Sequence, residues 1–144
     1  MNMALKKQFA QAYSNTFVET AVSEASPHKL IQMLYDGALK NMNLAKVFLE
    51  QKNFEKKSAH INKALSILGS LRDGVDVDKG GNVGSNLLEI YDYCYRTLFA
   101  ASAQNDIAKV DEVIDLIKSI SDAWQQMPDN IKRASKEQLD RIGG

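Results

Sequence analysis

Only two prolines interrupt the 144 residues of this chain, Pro27 and Pro128. Between them apolar residues recur three and four apart almost without a break. That spacing stacks side chains along one face of a 3.6-residue helix. Nothing in the interval alternates with the period of two that a half-buried strand needs. A helix tolerates proline only in its first turn, so a stretch of this length free of proline reads as consecutive helices.

The first long helix opens at Ser26-Pro27. The Ser26 hydroxyl is placed to accept from the unpaired N–H groups of the first turn. Pro27 fits the first helical position, where its missing N–H is no loss. Leu30, Leu34, Ala38, Met42, Ala45 and Leu49 form one apolar row that Ile31, Tyr35, Leu39 and Phe48 widen, to about Gln51. Gly37 inside this helix costs about 1 kcal/mol relative to alanine, which points to a close approach by a neighbour there. A second helix runs from about Phe54 to Asp73 with Ile61, Ala64, Leu65, Leu68 and Leu71 inward, and Gly74 as its left-handed terminal residue.

The stretch Gly74–Ser85, GVDVDKGGNVGS, reads as a polar, glycine-rich loop. Asn86 then caps the next helix, with Glu89 completing a capping box. Leu87, Leu88, Tyr91, Cys94, Tyr95, Leu98 and Phe99 give that helix its apolar face. Asp106 caps a last helix carrying Val110, Val113, Ile114, Ile117, Ile120 and Trp124, to about Met127.

Four helices with mostly short connections predict an all-α fold, an antiparallel four-helix bundle, as one domain over residues 1–128. Leu5, Phe9, Tyr13 and Phe17 lie four apart and predict an additional short N-terminal helix with a thin apolar ridge, so residues 1–20 are expected to be a mobile segment or lid. Residues 129–144 carry the sparse pattern Ile131, Ala134, Leu139, Ile142 and are expected to be a weakly structured tail.

Lysine plus arginine and aspartate plus glutamate both number 18, so the basic surplus of a nucleic-acid binder is missing. Lys56-Lys57 and Lys132-Arg133 read as solvated helix faces. The single cysteine, Cys94, excludes an internal disulfide and sits in an apolar stripe as a buried, inert thiol. No apolar run approaches the ~20 residues of a membrane span, and Lys6-Lys7 leads into no apolar signal region. A cytoplasmic protein without membrane insertion is therefore expected.

No constellation for chemistry emerges. Asp76-Val77-Asp78-Lys79-Gly80-Gly81 imitates the start of a calcium loop, but the twelfth position is Leu87 rather than the bidentate glutamate that calcium needs. The same glycines fail as a dinucleotide cradle, with Lys79 at the first glycine position and no strand before it. The two histidines, His28 and His60, lack the glutamate three residues earlier that a di-iron bundle uses. Cys94 has no recognisable base beside it, and His28, in a first helical turn, reads as exposed. The chain is expected to hold no metal, cofactor or catalytic residue and not to be an enzyme.

The aromatic residues are more informative. Tyr91, Tyr95 and Trp124 read as core and Tyr93 as surface. The third long helix is apolar over more than one seam, because Ile90 and Tyr93 lie outside its main stripe. That width suits a groove for a partner helix, and equally a seat for the chain's own N-terminal helix.

From Tyr13 to Gln126 the chain resembles the flagellin-specific export chaperones of the FliS family. The resemblance rests on ordered blocks: Ala12-Tyr13, the run from Ala25-Ser26-Pro27-His28-Lys29-Leu30 through Tyr35-Asp36-Gly37-Ala38, Lys79-Gly80-Gly81, Asn86-Leu87-Leu88-Glu89-Ile90-Tyr91-Asp92-Tyr93, Arg96 with Leu98, Asn105-Asp106 and Asp122-Ala123-Trp124. Thr97 departs from a second basic residue that the family often has there. The resemblance implies a chaperone that binds the disordered C-terminal segment of flagellin, one to one, in the cytoplasm. It would prevent premature polymerisation and deliver the subunit to the flagellar export apparatus. The implied flagellin contacts are Tyr13, Ile31, Leu34, Tyr35, Gly37, Ala38, Leu87, Leu88, Tyr91 and Tyr95. The alternative is a helical adaptor or regulatory protein that binds other flagellar components through the same apolar face.

Overall fold

The computed structural model describes residues 26–75 and 77–127, and within them every regular element is a helix. They are α1 (Pro27–Glu50), α2 (Phe54–Asp73), α3 (Val77–Gln104) and α4 (Ile107–Gln125). α1 packs on α2, α2 on α3, α3 on α4 and α4 back on α1. The connections are short, and residues late in one helix meet residues early in the next. The result is an up-and-down antiparallel four-helix bundle. The anticipated N-terminal helix, with Tyr13, and the tail beyond Pro128 lie outside the described residues.

The core is the set that the spacing selects. Leu30, Leu34, Ala38, Met42, Ala45 and Leu49 of α1 are buried, as are Ile61, Ala64, Leu65, Leu68 and Leu71 of α2. Tyr91, Cys94, Leu98 and Ala101 of α3 and Val110, Val113, Ile114 and Ile117 of α4 complete it. At about 25 cal/mol per Å² of apolar surface removed from water, these side chains dominate the stability of the bundle.

Three helices start on side-chain caps. Ser26 Oγ accepts from the Lys29 amide at 3.1 Å, Asn53 Oδ1 from the Lys56 amide at 3.2 Å, and Asp106 Oδ1 from the Lys109 amide at 3.3 Å. Two of these caps follow directly on a Schellman-type ending. The Asn53 amide bonds the Phe48 carbonyl and the Lys52 amide that of Leu49, while Asp106 and Asn105 do the same to Ala101 and Ser102. The residues in the left-handed conformation are Lys52 (φ 58°) and Asn105 (φ 51°).

This corrects two expectations. Gly74 ends α2 in the right-handed region (φ −81°, ψ −9°) rather than the left-handed one. The stretch expected to be a loop is helical from Val77, interrupted only at Gly81 (φ 57°, ψ −136°), so Asn86 lies inside a helix and caps nothing. Helix extension onto an existing nucleus costs little per residue, and Gly84, within this polar stretch, is buried against the bundle. Gly81 takes up the break because its backbone angles are closed to other residues.

Candidate functional site

The residues implicated by the resemblance fall into two groups. On α1, Ile31, Leu34, Tyr35 and Ala38 belong to the core, and so does Tyr91 on α3. Gly37 is buried, and its carbonyl oxygen accepts from Asn41 Nδ2 at 2.9 Å. Leu87 and Tyr95 are partly buried against the core, and Leu88 is half-buried.

The structure joins Tyr35 and Tyr91 directly. Their hydroxyls lie 2.6 Å apart in a buried hydrogen bond. Burial pushes the Tyr35 phenol up to about 12, and burial first, then Tyr35, raises that of Tyr91. Tyr95 faces the other way, into the seam with α2. The Arg72 guanidinium lies over its ring at 4.8 Å, and Arg72 and Arg96 both reach Asp92, at 3.7 and 2.9 Å.

Three side chains depart from expectation. His28, expected to be exposed, is 7 % exposed. Its ring stacks on Trp124 with centroids 4.7 Å apart, and its Nε2–H donates to the Trp124 carbonyl oxygen at 2.9 Å. Trp124 Nε1–H returns the bond to the His28 carbonyl oxygen at 2.9 Å. Lys57, expected to be solvated, is 4 % exposed. Its ammonium donates to the Ser102 carbonyl oxygen at 2.9 Å. That carbonyl is one of the last four of α3, which lack an intrahelical partner and attract a cation. Burial lowers the pKa of Lys57. Phe99, assigned to the apolar face of its helix, is 61 % exposed.

The extra apolar width that Ile90 and Tyr93 give α3 lies in a groove between α3 and α4, whose second wall the spacing did not reveal. Glu89, Ile90 and Tyr93 form one wall and Glu112 and Leu116 the other, around an open volume of about 320 Å³. Tyr93 is 41 % exposed, and its hydroxyl donates to the Glu112 carboxylate across the groove. That bond is the first cause of the raised pKa of Tyr93. The signal was present as Ile90 and Tyr93 three apart on one helix and Glu112 and Leu116 four apart on its neighbour. Only antiparallel pairing brings the two together.

Zero net charge conceals a segregation. Residues 27–74 carry eight lysines and arginines against four acids, and residues 77–127 carry four against eight. The α1–α2 hairpin is therefore basic and the α3–α4 hairpin acidic. On the basic side, burial first and then Lys63, Lys40 and Lys56 hold His60 below the usual imidazole range. Its Nδ1–H donates to Asn41 Oδ1 at 2.9 Å. Lys46 and Asp111 join the two hairpins at 2.5 Å.

Among the described residues no group of histidine, cysteine, aspartate and glutamate is arranged to hold a metal ion. No helix among them is long and apolar enough to cross a membrane. Burial pushes the Cys94 thiol up to about 12, which leaves no thiolate nucleophile at neutral pH.

The family model described as "Flagellar protein FliS" matches residues 9–131, and the chain belongs to that family. It is 42 % identical over 118 residues to the flagellar secretion chaperone FliS of Salmonella typhimurium, covering 81 % of this chain and 87 % of the relative. It is 37 % identical to the protein of the same name from Vibrio cholerae, over 82 % of this chain and 87 % of the relative. The Bacillus subtilis protein of that name is 31 % identical over 76 % of this chain and 81 % of its own length. These relatives are named as chaperones, and the chain is correspondingly not an enzyme.

Proposed function

We propose that this protein is a flagellar export chaperone that binds the disordered C-terminal segment of flagellin in the cytoplasm, one to one. In this reading it keeps the subunit from polymerising and hands it to the flagellar export apparatus. The observation that carries the proposal is the FliS family match over residues 9–131, a span that includes all four helices. The relatives' name supplies the class of work, flagellar secretion.

The physical arrangement supports it. A disordered client is ordered on binding, at a cost offset only by wide apolar contact. Along α3 the bundle offers half-buried or exposed apolar side chains: Tyr95 toward α2, Ile90 and Tyr93 toward α4, and Leu88 and Phe99 besides. Of the nominated contacts, Leu87, Leu88 and Tyr95 are the ones a client reaches without opening the bundle. Ile31, Leu34, Tyr35, Gly37, Ala38 and Tyr91 would act by shaping the helices beneath it, and Tyr13 from the N-terminal segment.

Calorimetric titration with the C-terminal segment of the flagellin from the same organism tests the proposal. The expected result is tight one-to-one binding with a negative heat-capacity change. Absence of binding to an intact segment would overturn it and favour the adaptor role.

A further inference from the structure

We propose that the outer face of the α1–α2 hairpin, with Lys40 and Lys63 at one end and Lys56 at the other, docks an acidic amphipathic helix of another protein. This face belongs to the hairpin that does not form the α3–α4 groove, and the inference stands whether or not flagellin is the client.

The face is built around a stacked ring pair. Phe48 of α1 and His60 of α2 lie with ring centroids 5.4 Å apart and planes 12° apart. The His60 ring is fixed by its bond to Asn41 Oδ1 at 2.9 Å, and the Lys56 ammonium stands 5.5 Å from the Phe48 centroid. Lys40, Leu44 and Phe48 follow one another four apart along α1, on one side of that helix. Leu44 and Phe48 are half-buried and Val47 beside them is 45 % exposed. Apolar surface therefore lies open among the cations.

The charge on this face is one-sided. Lys40, Lys56 and Lys63 are exposed, and after burial it is their charges that hold the His60 imidazole below its usual range. Like charges grouped this closely repel one another. Among the described residues no carboxylate stands within ion-pair distance of Lys56 or Lys63. The acids of the hairpin are placed elsewhere. At about 100° per residue, Glu50 is about 160° around α1 from Phe48, and Glu55 about 140° around α2 from His60. Asp73 pairs with Arg72 at the far end of α2. Asp36, one turn before Lys40, accepts from Gln32 Nε2 at 3.2 Å and bounds the face at that end.

The spacing selects the partner. Lys56 and Lys63 are seven residues apart on one line of α2, about 10.5 Å at 1.5 Å per residue. A helix with acids seven apart sets a carboxylate against each, and its apolar stripe covers Leu44, Val47 and Phe48. Nucleic acid fits this face less well. A tight duplex binder neutralises about 6–10 phosphates, and the acid surplus of residues 77–127 opposes any longer polyanion or a charged membrane.

Titrating the full chain with a synthetic helical peptide, a leucine stripe flanked by glutamates seven apart, tests the inference. Amides of residues 40–48 and 56–63 are expected to shift on binding, and those of 89–93 and 112–116 to stay. Lys56→Glu with Lys63→Glu, both at exposed positions, should weaken binding about tenfold or more. A peptide with lysines in place of the glutamates should restore it on that variant. A peptide of the same composition with the leucine stripe scrambled should bind the parent about tenfold more weakly. Failure of the first peptide to bind, equal binding of the scrambled one, or shifts confined to other helices would overturn the inference. So would tighter binding of phosphatidylserine vesicles or of a single-stranded DNA oligonucleotide at the same lysines.

Discussion

The hydroxyls of Tyr35 and Tyr91 are hydrogen-bonded to each other at 2.6 Å in the interior of the bundle. The pair links the middle of α1 to α3, two helices that stand diagonally across the core. A buried hydroxyl that loses its partner retains its desolvation cost, whereas removing both hydroxyls removes the cost with the bond. Tyr35→Phe alone should therefore destabilise the bundle by about 1–3 kcal/mol. Tyr35→Phe with Tyr91→Phe should cost less than the two single changes together. Urea denaturation of the four proteins of the cycle measures this.

The same pair, together with Cys94, makes the fold lose stability at high pH. Phenols in an unfolded chain ionise near pH 10, while Tyr35 in the bundle is pushed up to about 12 and Tyr91 is also raised. The raised folded value favours the neutral phenol. Its contribution is full below about pH 10 and is lost as pH climbs toward 12. Cys94, also pushed up to about 12, loses stability over a window that opens lower, near its ordinary 9.0. Unfolding midpoints should hold steady from pH 7 to about 8.5 and then fall. In a tyrosinate absorbance titration, the buried pair should ionise together with loss of helical circular dichroism.

His28 and Trp124 close one end of the bundle with two reciprocal bonds and a stacked ring pair. Trp124→Phe preserves an aromatic ring but removes the donor to the His28 carbonyl. It should cost about 1 kcal/mol or somewhat more. The loss should be local, seen as faster amide exchange in the first turn of α1 and the last turn of α4, with α2 little changed.

Lys52 and Gly81 hold positive φ for opposite reasons. At Lys52 a side chain stands where glycine is the usual C-terminal residue, so Lys52→Gly should raise stability by about 1 kcal/mol. At Gly81 a Cβ would meet nothing within 4 Å. The obstacle is the backbone conformation, and Gly81→Ala should destabilise by about 1–3 kcal/mol. Thermal unfolding of both variants beside the parent gives the two signs.

The sequence made the bundle legible where a helix announces both its buried stripe and its start. Ser26 and Asp106 cap as their side-chain chemistry requires, and the rows through Leu34, Leu68 and Ile117 point inward. It was illegible where local composition and packing disagree. GVDVDKGGNVGS has the residues of a loop, yet from Val77 onward it joins α3, with Gly81 absorbing the break and Gly84 buried. His28 and Lys57 looked like surface because each polar group finds its partner 96 and 45 residues away. Of the groove around Tyr93 the sequence showed one wall, in the position of Ile90 and Tyr93 outside the main stripe, and not the other. That second wall is formed by Glu112 and Leu116 on the neighbouring helix.

The basic and acidic hairpins make this molecule a large electric dipole without a net charge, with a sequence pI of about 6.7. Such a dipole turns an approaching charged polypeptide before any contact forms, and the torque fades over a Debye length of about 10 Å at 0.1 M salt. Partners of either sign are thus delivered to opposite sides of one small bundle. At low salt near its isoelectric point, the protein should adhere to both cation and anion exchangers, each holding it by a different pair of helices.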